Sequence, residues 1–293
     1  MVKVTVPAST ANIGPGFDTL GLALNMYNVY EFEEINEGLL IEGCPEKYNN
    51  KDNLIYKSFK HTADILNKSI KGLRININAE IPVSRGLGSS SACIVAGVFG
   101  ANCLLNGHLS KDELFKIAVG IEGHPDNIAP AVYGGLTASI VEDQVPYYVS
   151  YNIHDSIKFC ALIPNFETST HEARKLLPSQ ISYEDAVFNV SRTAVLLKAL
   201  ETGDFKVINI ALKDKLHQKY RKTLIHECDE VKRICEENGT AALFISGSGP
   251  TLMNITHSLE FAKHIKDSIM KLDYNWEIKQ LLADKNGVVV EKY

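Results

Sequence analysis

Two domains of mixed helix and strand are what this sequence predicts, and three observations carry the expectation. At 293 residues the chain is long enough for two hydrophobic cores of ordinary size. Stretches with the two-residue alternation of half-buried strands are interspersed with stretches of helical spacing along its whole length. The pattern lapses over residues 152–156, Asn-Ile-His-Asp-Ser, and restarts at Lys158, so the expected domains are residues 1–155 and 156–293.

In the first of these, residues 2–6 read as a strand entering a shaped loop at 7–18, where two prolines and two glycines stand among small polar residues. Residues 20–25 are apolar, and 28–35 and 39–43 read as strands. Residues 53–66 carry helical spacing through Leu54 or Ile55, Phe59, Ala63 and Leu66. Residues 73–81 alternate, with Ile75, Ile77, Ala79 and Ile81 apolar and Arg74, Asn76, Asn78 and Glu80 polar. A glycine- and serine-rich turn at 82–92 then opens an apolar, small-residue helix that ends near Leu105. Ser110 and Glu113 form a capping box for a helix with Leu114, Ile117, Ala118 and Ile121 on one face. A polar loop over 121–135 enters a short helix at 127–133, which Asp126 is expected to cap. Residues 136–141 and 145–151 form a hairpin.

In the second, 159–164 is a strand, and 168–177 and 183–201 are helices, the latter opened by Ser182 and stopped by Gly203. A helix at 225–238 closes on Gly239. Strands at 241–245 and 251–255 flank Ser246-Gly-Ser-Gly-Pro250, followed by a helix at 259–272 and strands at 276–282 and 288–291.

Composition narrows the function. Hydrophobic residues make up 45% and charged residues 22% of the chain, proportions of a soluble globular enzyme. A net charge of −5 argues against nucleic acid as a partner, which calls for a basic face. No apolar run approaches the ~20 residues of a membrane span, and Met-Val-Lys-Val-Thr-Val-Pro reads as a strand rather than a signal-peptide core. Six cysteines (Cys44, Cys93, Cys103, Cys160, Cys228, Cys235) show neither Cys-x-x-Cys nor metal spacing, the pattern of reduced thiols in a cytoplasmic protein. Nine histidines form no zinc-binding cluster.

Residues 82–92 attract the chemistry. A strand, a glycine turn bearing hydroxyls and a helix N-terminus make an anion site, because glycines let backbone N–H groups converge and the helix dipole favours negative charge. Phosphate is the obvious guest. A tight turn with a serine cap has the same composition, and the three consecutive hydroxyls of Ser89, Ser90 and Ser91 tilt the balance towards phosphate. No lysine follows Gly88, as a Walker loop requires, and Gly86-x-Gly88 lacks the third glycine of a dinucleotide fingerprint. A nucleotide site here belongs to another class.

Polar, irregular segments are where sites concentrate, and four interrupt this chain: 7–18, 82–92, 122–135 and 246–251. Together they resemble the three signature motifs of the GHMP small-molecule kinases. Pro82-Val-Ser-Arg-Gly-Leu-Gly-Ser-Ser-Ser-Ala92 matches the second motif and Ser246-Gly-Ser-Gly-Pro-Thr251 the third. Pro7-Ala-Ser-Thr-Ala-Asn12-Ile-Gly-Pro-Gly-Phe-Asp18-Thr-Leu-Gly21 and His124-Pro-Asp-Asn127-Ile-Ala-Pro130 are most similar to the homoserine kinases. The Gly-Glu-His loop of galactokinases and the Pro-Ser-Gly-x-Asp segment of mevalonate-type kinases are absent.

The resemblance implies an α+β, two-domain GHMP kinase fold, with an N-terminal ribosomal-protein-S5-like domain, a C-terminal ferredoxin-like domain and ATP in the cleft between them. It implies phosphoryl transfer from ATP to the side-chain hydroxyl of L-homoserine, giving O-phospho-L-homoserine in threonine biosynthesis. Pro82, Val83, Ser84, Arg85, Gly86, Leu87, Gly88, Ser89, Ser90, Ser91, Ala92 and Cys93 would then form the triphosphate site, and Asn53 lies on the adenine side. Mg²⁺ takes hard oxygen ligands; by resemblance these are Ser90 and Glu122. Asn12 and Asp18 match the positions that hold the substrate ammonium. Arg174 and Arg221 match those that hold its carboxylate, with Thr170 one helical turn before Arg174 and Gly247 in the third motif. Arg221 also stands in a basic run with Lys219 and Lys222, which a solvated face would show equally.

Asn127 matches the position that orients the acceptor hydroxyl. Other members place an aspartate base there, and an amide cannot take a proton, so the expected mechanism is positioning and charge stabilisation. His124 either touches substrate or satisfies its loop, and Arg85 either touches phosphate or faces solvent. Rival readings are a kinase for another small alcohol and a non-catalytic metabolite-binding homologue. Glu122 and the serines, which a degenerate member would lose, favour an enzyme. The expected partner is a small-molecule substrate, with neither nucleic acid nor membrane, and the resemblance leaves a homodimer open.

Overall fold

A computed structural model describes residues 1–240 and 242–293. Of the strand expected over 241–245, Ala241 therefore lies outside the described residues. In chain order the first half contains β1 (Val2–Ala11), β2 (Leu20–Ile35), β3 (Gly38–Glu42), α1 (Leu54–Ile65), β4 (Gly72–Ala79), α2 (Ser89–Leu104), α3 (Lys111–Glu122), α4 (Ile128–Tyr133), β5 (Leu136–Glu142) and β6 (Val145–Tyr151). The second half contains β7 (Lys158–Pro164), α5 (Thr170–Lys175), α6 (Tyr183–Thr202), α7 (Phe205–Ala211), α8 (Gln218–Arg221), α9 (Cys228–Glu237), β8 (Leu243–Ile245), β9 (Leu252–Thr256), α10 (Phe261–Ile269), β10 (Trp276–Leu281) and β11 (Val289–Lys292).

The strands form two sheets, as the α+β expectation requires. The larger runs β11-β1-β2-β4-β3, with β5 added on β2 and β6 on β5. All its pairs are antiparallel except β3 with β4. The chain's last strand thus returns to the sheet that holds its first, pairing Val2 with Lys292. The smaller sheet runs β10-β7-β9-β8 and is antiparallel throughout. With helices between β7 and β8 and between β9 and β10, it has the β-α-β-β-α-β order of a ferredoxin-like unit.

Helix α2 is the core element of the first half. Its residues are apolar on every side, and the stretch from Ser91 to Ala101 is almost wholly buried, as expected of a helix hydrophobic all round. Gly97 lets α1 cross closely, since a Cβ there would stand 2.4 Å from the Ile55 carbonyl oxygen.

Three boundaries differ from the sequence expectation. β1 continues to Ala11 rather than ending before Pro7: the missing N–H of Pro7 is absorbed by a register shift at Pro7/Ala8. β2 runs unbroken through the two separate segments expected at 20–25 and 28–35. α7 and α8 have no counterpart in the sequence reading, because seven and four residues give less than two full turns of periodicity.

Candidate active site

A cavity of about 850 Å³ opens between the loops of the two halves, and the expected site residues converge on it. Residues 82–88 leave the end of β4 and enter α2 through Gly88, the N-cap, at φ +73°. Only glycine fits there: a Cβ would come within 2.1 Å of the Ser9 hydroxyl oxygen. The first intrahelical hydrogen bond runs from Ala92 N to Gly88 O at 2.9 Å. The N–H groups of Ser89, Ser90 and Ser91 are left without intrahelical partners at the positive end of a 16-residue helix. No side chain caps this terminus, so the serine-cap alternative does not hold, and residues 89–91 line the cavity. Val83, Ser84, Arg85, Gly86, Ser89, Ser90, Ser91 and Cys93 line the wall; Leu87 and Ala92 lie buried beneath it, and Pro82 stands outside it.

The serine hydroxyls do other work. Ser90 Oγ donates to Glu122 Oε2 at 3.0 Å and Ser91 Oγ to Glu122 Oε1 at 2.8 Å. Glu122 is the last residue of α3, so the capping box that starts that helix, observed at Ser110 and Glu113, also fixes where its carboxylate emerges. Among the described residues no cationic side chain forms an ion pair with Glu122. A carboxylate with hydroxyls on both oxygens is a hard-oxygen donor set, suited to Mg²⁺ rather than zinc. No cluster of three or more His, Cys, Asp or Glu side chains occurs among the described residues.

Arg85 lines the cavity with its guanidinium held by backbone carbonyls. Its Nε donates to Pro164 O at 2.9 Å and its Nη2 to Asn165 O at 3.1 Å, tying the loop to the end of β7. The third motif braces the same loop from below: Ser246 Oγ donates to Gly86 O at 2.6 Å and meets the Thr10 hydroxyl at 2.7 Å.

The opposite end of the cavity is charged and assembled from four segments. Asn12, Ile13, Asp18 and Ser84 are four of the nine described non-glycine residues with positive φ. An isoleucine at φ +42° is a costly conformation that only the surrounding structure can maintain. Asn12 bridges segments, accepting from Asp18 N at 2.9 Å and donating to Gly247 O at 2.8 Å. Asp18 forms a bidentate pair with Arg174, both contacts at 2.9 Å, which raises the guanidinium further above its ordinary value. Thr170 lies one turn before Arg174 on α5, its hydroxyl 3.2 Å from that of Ser248.

Arg221 settles the ambiguity of its basic run. Lys219 and Lys222 are exposed, whereas Arg221 is 2% exposed and lines the cavity. Its Nη1 donates to Gly247 O at 2.9 Å, its Nε has no hydrogen-bond partner, and no carboxylate lies within ion-pair distance among the described residues. Burial, reinforced by the nearby charge of Arg174, pushes its guanidinium down to about 10, still fully charged at neutral pH. A buried cation without a counter-ion costs several kcal/mol, roughly, unless an anion arrives.

Between the two ends sit Asn127, Asp126 and His124. Asn127 Oδ1 accepts from Ser9 Oγ at 2.9 Å, which leaves the amide N–H groups for the cavity. Asp126 does not cap α4, contrary to expectation: Asn127 is the N-cap and makes no side-chain capping bond. The buried Asp126 carboxylate instead holds His124 Nδ1 at 2.9 Å, because loop 123–127 turns it away from the helix axis. That contact raises the His124 pKa. Asn53 caps α1, accepting from Ile55 N at 2.9 Å and donating to Tyr48 O at 2.9 Å. It therefore shapes an apolar arm of the cavity walled by Tyr48, Ile77, Ile81 and Val83. Ser9, Phe17 and His217 were not anticipated. The first two lie inside the first motif, while His217 could be suspected only from standing one turn before Arg221.

An uncapped helix N-terminus beside a hydroxyl–carboxylate group, on a two-sheet α+β frame, defines a class. The family model described as "GHMP kinases N terminal domain" matches residues 53–135, and "GHMP kinases C terminal" matches residues 196–272. This is the class of GHMP kinases, with ATP as phosphoryl donor. A homoserine kinase of Clostridium botulinum (strain ATCC 19397 / Type A) is 50% identical over 292 residues, covering 99% of this chain and 98% of the relative. The crystal structure of homoserine kinase from Cytophaga hutchinsonii superposes with a TM-score of 0.86 at 26% identity, over 99% of this chain and 97% of that one. The L. major mevalonate kinase, at 16% identity, a TM-score of 0.76 and coverage of 97% and 96%, shares the fold. The chain belongs to the homoserine kinase family.

Proposed function

We propose that this protein transfers the γ-phosphoryl group of ATP to the side-chain hydroxyl of L-homoserine, yielding O-phospho-L-homoserine for threonine biosynthesis. The observation that carries the substrate assignment is Arg221, a buried guanidinium with an orphaned Nε, next to the Asp18–Arg174 pair. A zwitterion suits this arrangement. Its ammonium takes Asp18 and Asn12, and its carboxylate takes Arg174 and Arg221 with support from Thr170 and Gly247. Each charge released by opening the Asp18–Arg174 pair is replaced by one of the same sign, and Arg221 gains the anion it lacks.

The N–H groups of residues 89–91 and the loop 82–88 hold the triphosphate, with Cys93 and the Asn53 arm on the nucleotide side. Among the cations lining the cavity, Arg85 is committed to carbonyl groups, Arg174 to Asp18, and Arg221 is taken by the substrate carboxylate in this reading. The phosphate charge therefore calls for Mg²⁺, held by Ser90 and Glu122, which supplies charge neutralisation on the transferring group. Asn127 donates an amide N–H to the acceptor hydroxyl and aligns it for in-line attack. No side chain is assigned as general base: Asp126 is occupied with His124, and a loose transition state needs little activation of the nucleophile. The division at 155/156, with β11 returning to the first sheet, and a cytoplasmic location, in keeping with six free thiols, belong to the same proposal.

A coupled ADP-release assay against homoserine, serine, mevalonate and galactose tests the reading. Turnover with homoserine is expected. Turnover confined to an alcohol that lacks an amino-acid group would overturn it.

A further inference from the structure

We propose that His217 is a positioning residue for the substrate carboxylate: one imidazole ties the loop bearing the ammonium-binding groups to the helix bearing Arg221. The inference rests on the kinase reading above and concerns how its two charge sites are kept at a set separation.

His217 is the N-cap of α8 and is 0% exposed. Its Nε2 lies 2.8 Å from Gly14 O. A carbonyl can only accept, so the proton is on Nε2 and Nδ1 presents a lone pair. That lone pair faces Arg221 Nη1 at 3.5 Å, the same nitrogen that donates to Gly247 O. Burial holds the ring below the ordinary histidine pKa, in keeping with a neutral imidazole beside a guanidinium.

The ring also stacks on Phe17, with centroids 5.1 Å apart and planes at 29°. Phe17 in turn has the Arg221 guanidinium 5.0 Å and the Arg174 guanidinium 5.8 Å from its ring centroid. Both guanidiniums thus lie within cation–π range of the same ring. Asp214 sets the turn that delivers the ring, accepting from the backbone N–H groups of Leu216, His217 and Gln218 and from Asn189 Nδ2. Loop 12–18 and α8 are some two hundred residues apart in sequence, and this imidazole is hydrogen-bonded to both. Without it, Arg221 keeps its charge but loses the acceptor and the stacked face that orient its fork.

Steady-state kinetics of His217→Gln with homoserine and with 3-aminopropan-1-ol, which has the ammonium and hydroxyl but no carboxylate, form the test. Glutamine retains an N–H for Gly14 O and has no acceptor at the Nδ1 position that faces Arg221. The KM for homoserine should rise about 10- to 30-fold, the loss of one charge-assisted contact, with kcat and the KM for ATP within about threefold. The preference for homoserine over the decarboxylated analogue should fall by the same factor as that rise. Phe17→Leu should move the preference in the same direction by about threefold, and it decides the matter alone where His217→Gln does not fold. An unchanged preference, or an equal rise in KM for ATP, homoserine and the analogue, overturns the inference. Failure of the wild-type enzyme to use homoserine would instead overturn the kinase reading.

Discussion

The two ends of the cavity recognise charge by different means. At the end proposed for phosphate the donors are backbone N–H groups of one contiguous segment, held in place by Gly88 and the start of α2. No acceptor competes for them among the described residues. At the amino-acid end the groups are side chains from four segments, and opposite charges there find each other: Asp18 and Arg174 are already paired. Side-chain recognition has to be protected from self-neutralisation. Burial of Arg221 away from any carboxylate does this for one cation, while the half-exposed Arg174 remains exchangeable.

If the ends are chemically separate, substitutions at each should separate kcat from the homoserine KM. The largest effect is expected for Glu122→Gln, which keeps shape and removes the charge shared by Ser90 and Ser91. The kcat should fall about 10³-fold with the homoserine KM within a few-fold, followed by ADP release across a Mg²⁺ titration. A comparable rise in the homoserine KM would break the separation. Next is Arg221→Met: kcat/KM for homoserine should drop about 100-fold, while ATP affinity, measured by calorimetry, stays unchanged.

A smaller effect sharpens the middle of the cavity. Asp126→Asn should lower kcat by less than about tenfold, because the carboxylate serves His124 and not the acceptor proton. A loss near 10³-fold, the scale of a general base, would place Asp126 in proton transfer.

The smallest expected effect is on stability. His124 has its folded pKa raised above 6.5 by Asp126, so its contribution is complete below that pH and is lost as pH rises through the folded value. Thermal unfolding of the wild type between pH 6 and 8.5 should show a decline of about 1–3 °C that His124→Gln lacks. A parallel decline in both proteins would mean that the contact carries no linkage.

Much of the first half was legible in the sequence because its signals are local. Ser110 and Glu113 three residues apart specify the start of α3, and alternation over 73–81 specifies β4. Glycines 86 and 88 followed by serines mark an uncapped helix terminus, since the geometry depends on consecutive φ values. Where local signals conflicted, the sequence misled. Pro7 looks like the end of a strand, yet pairing with β2 carries β1 to Ala11. Asp126 looked like a cap, yet the loop directs it to His124.

The sequence by itself determined the anion-binding turn and the residue types needed to hold a phosphate and a zwitterion, because those are properties of contiguous backbone and of side-chain chemistry. Only the tertiary structure decided that Asp18 pairs with Arg174 across 156 positions, that Arg221 is buried while its lysine neighbours are exposed, and that His217 joins α8 to loop 12–18. Those distances arise from how the segments pack against one another, and no spacing along the chain encodes them.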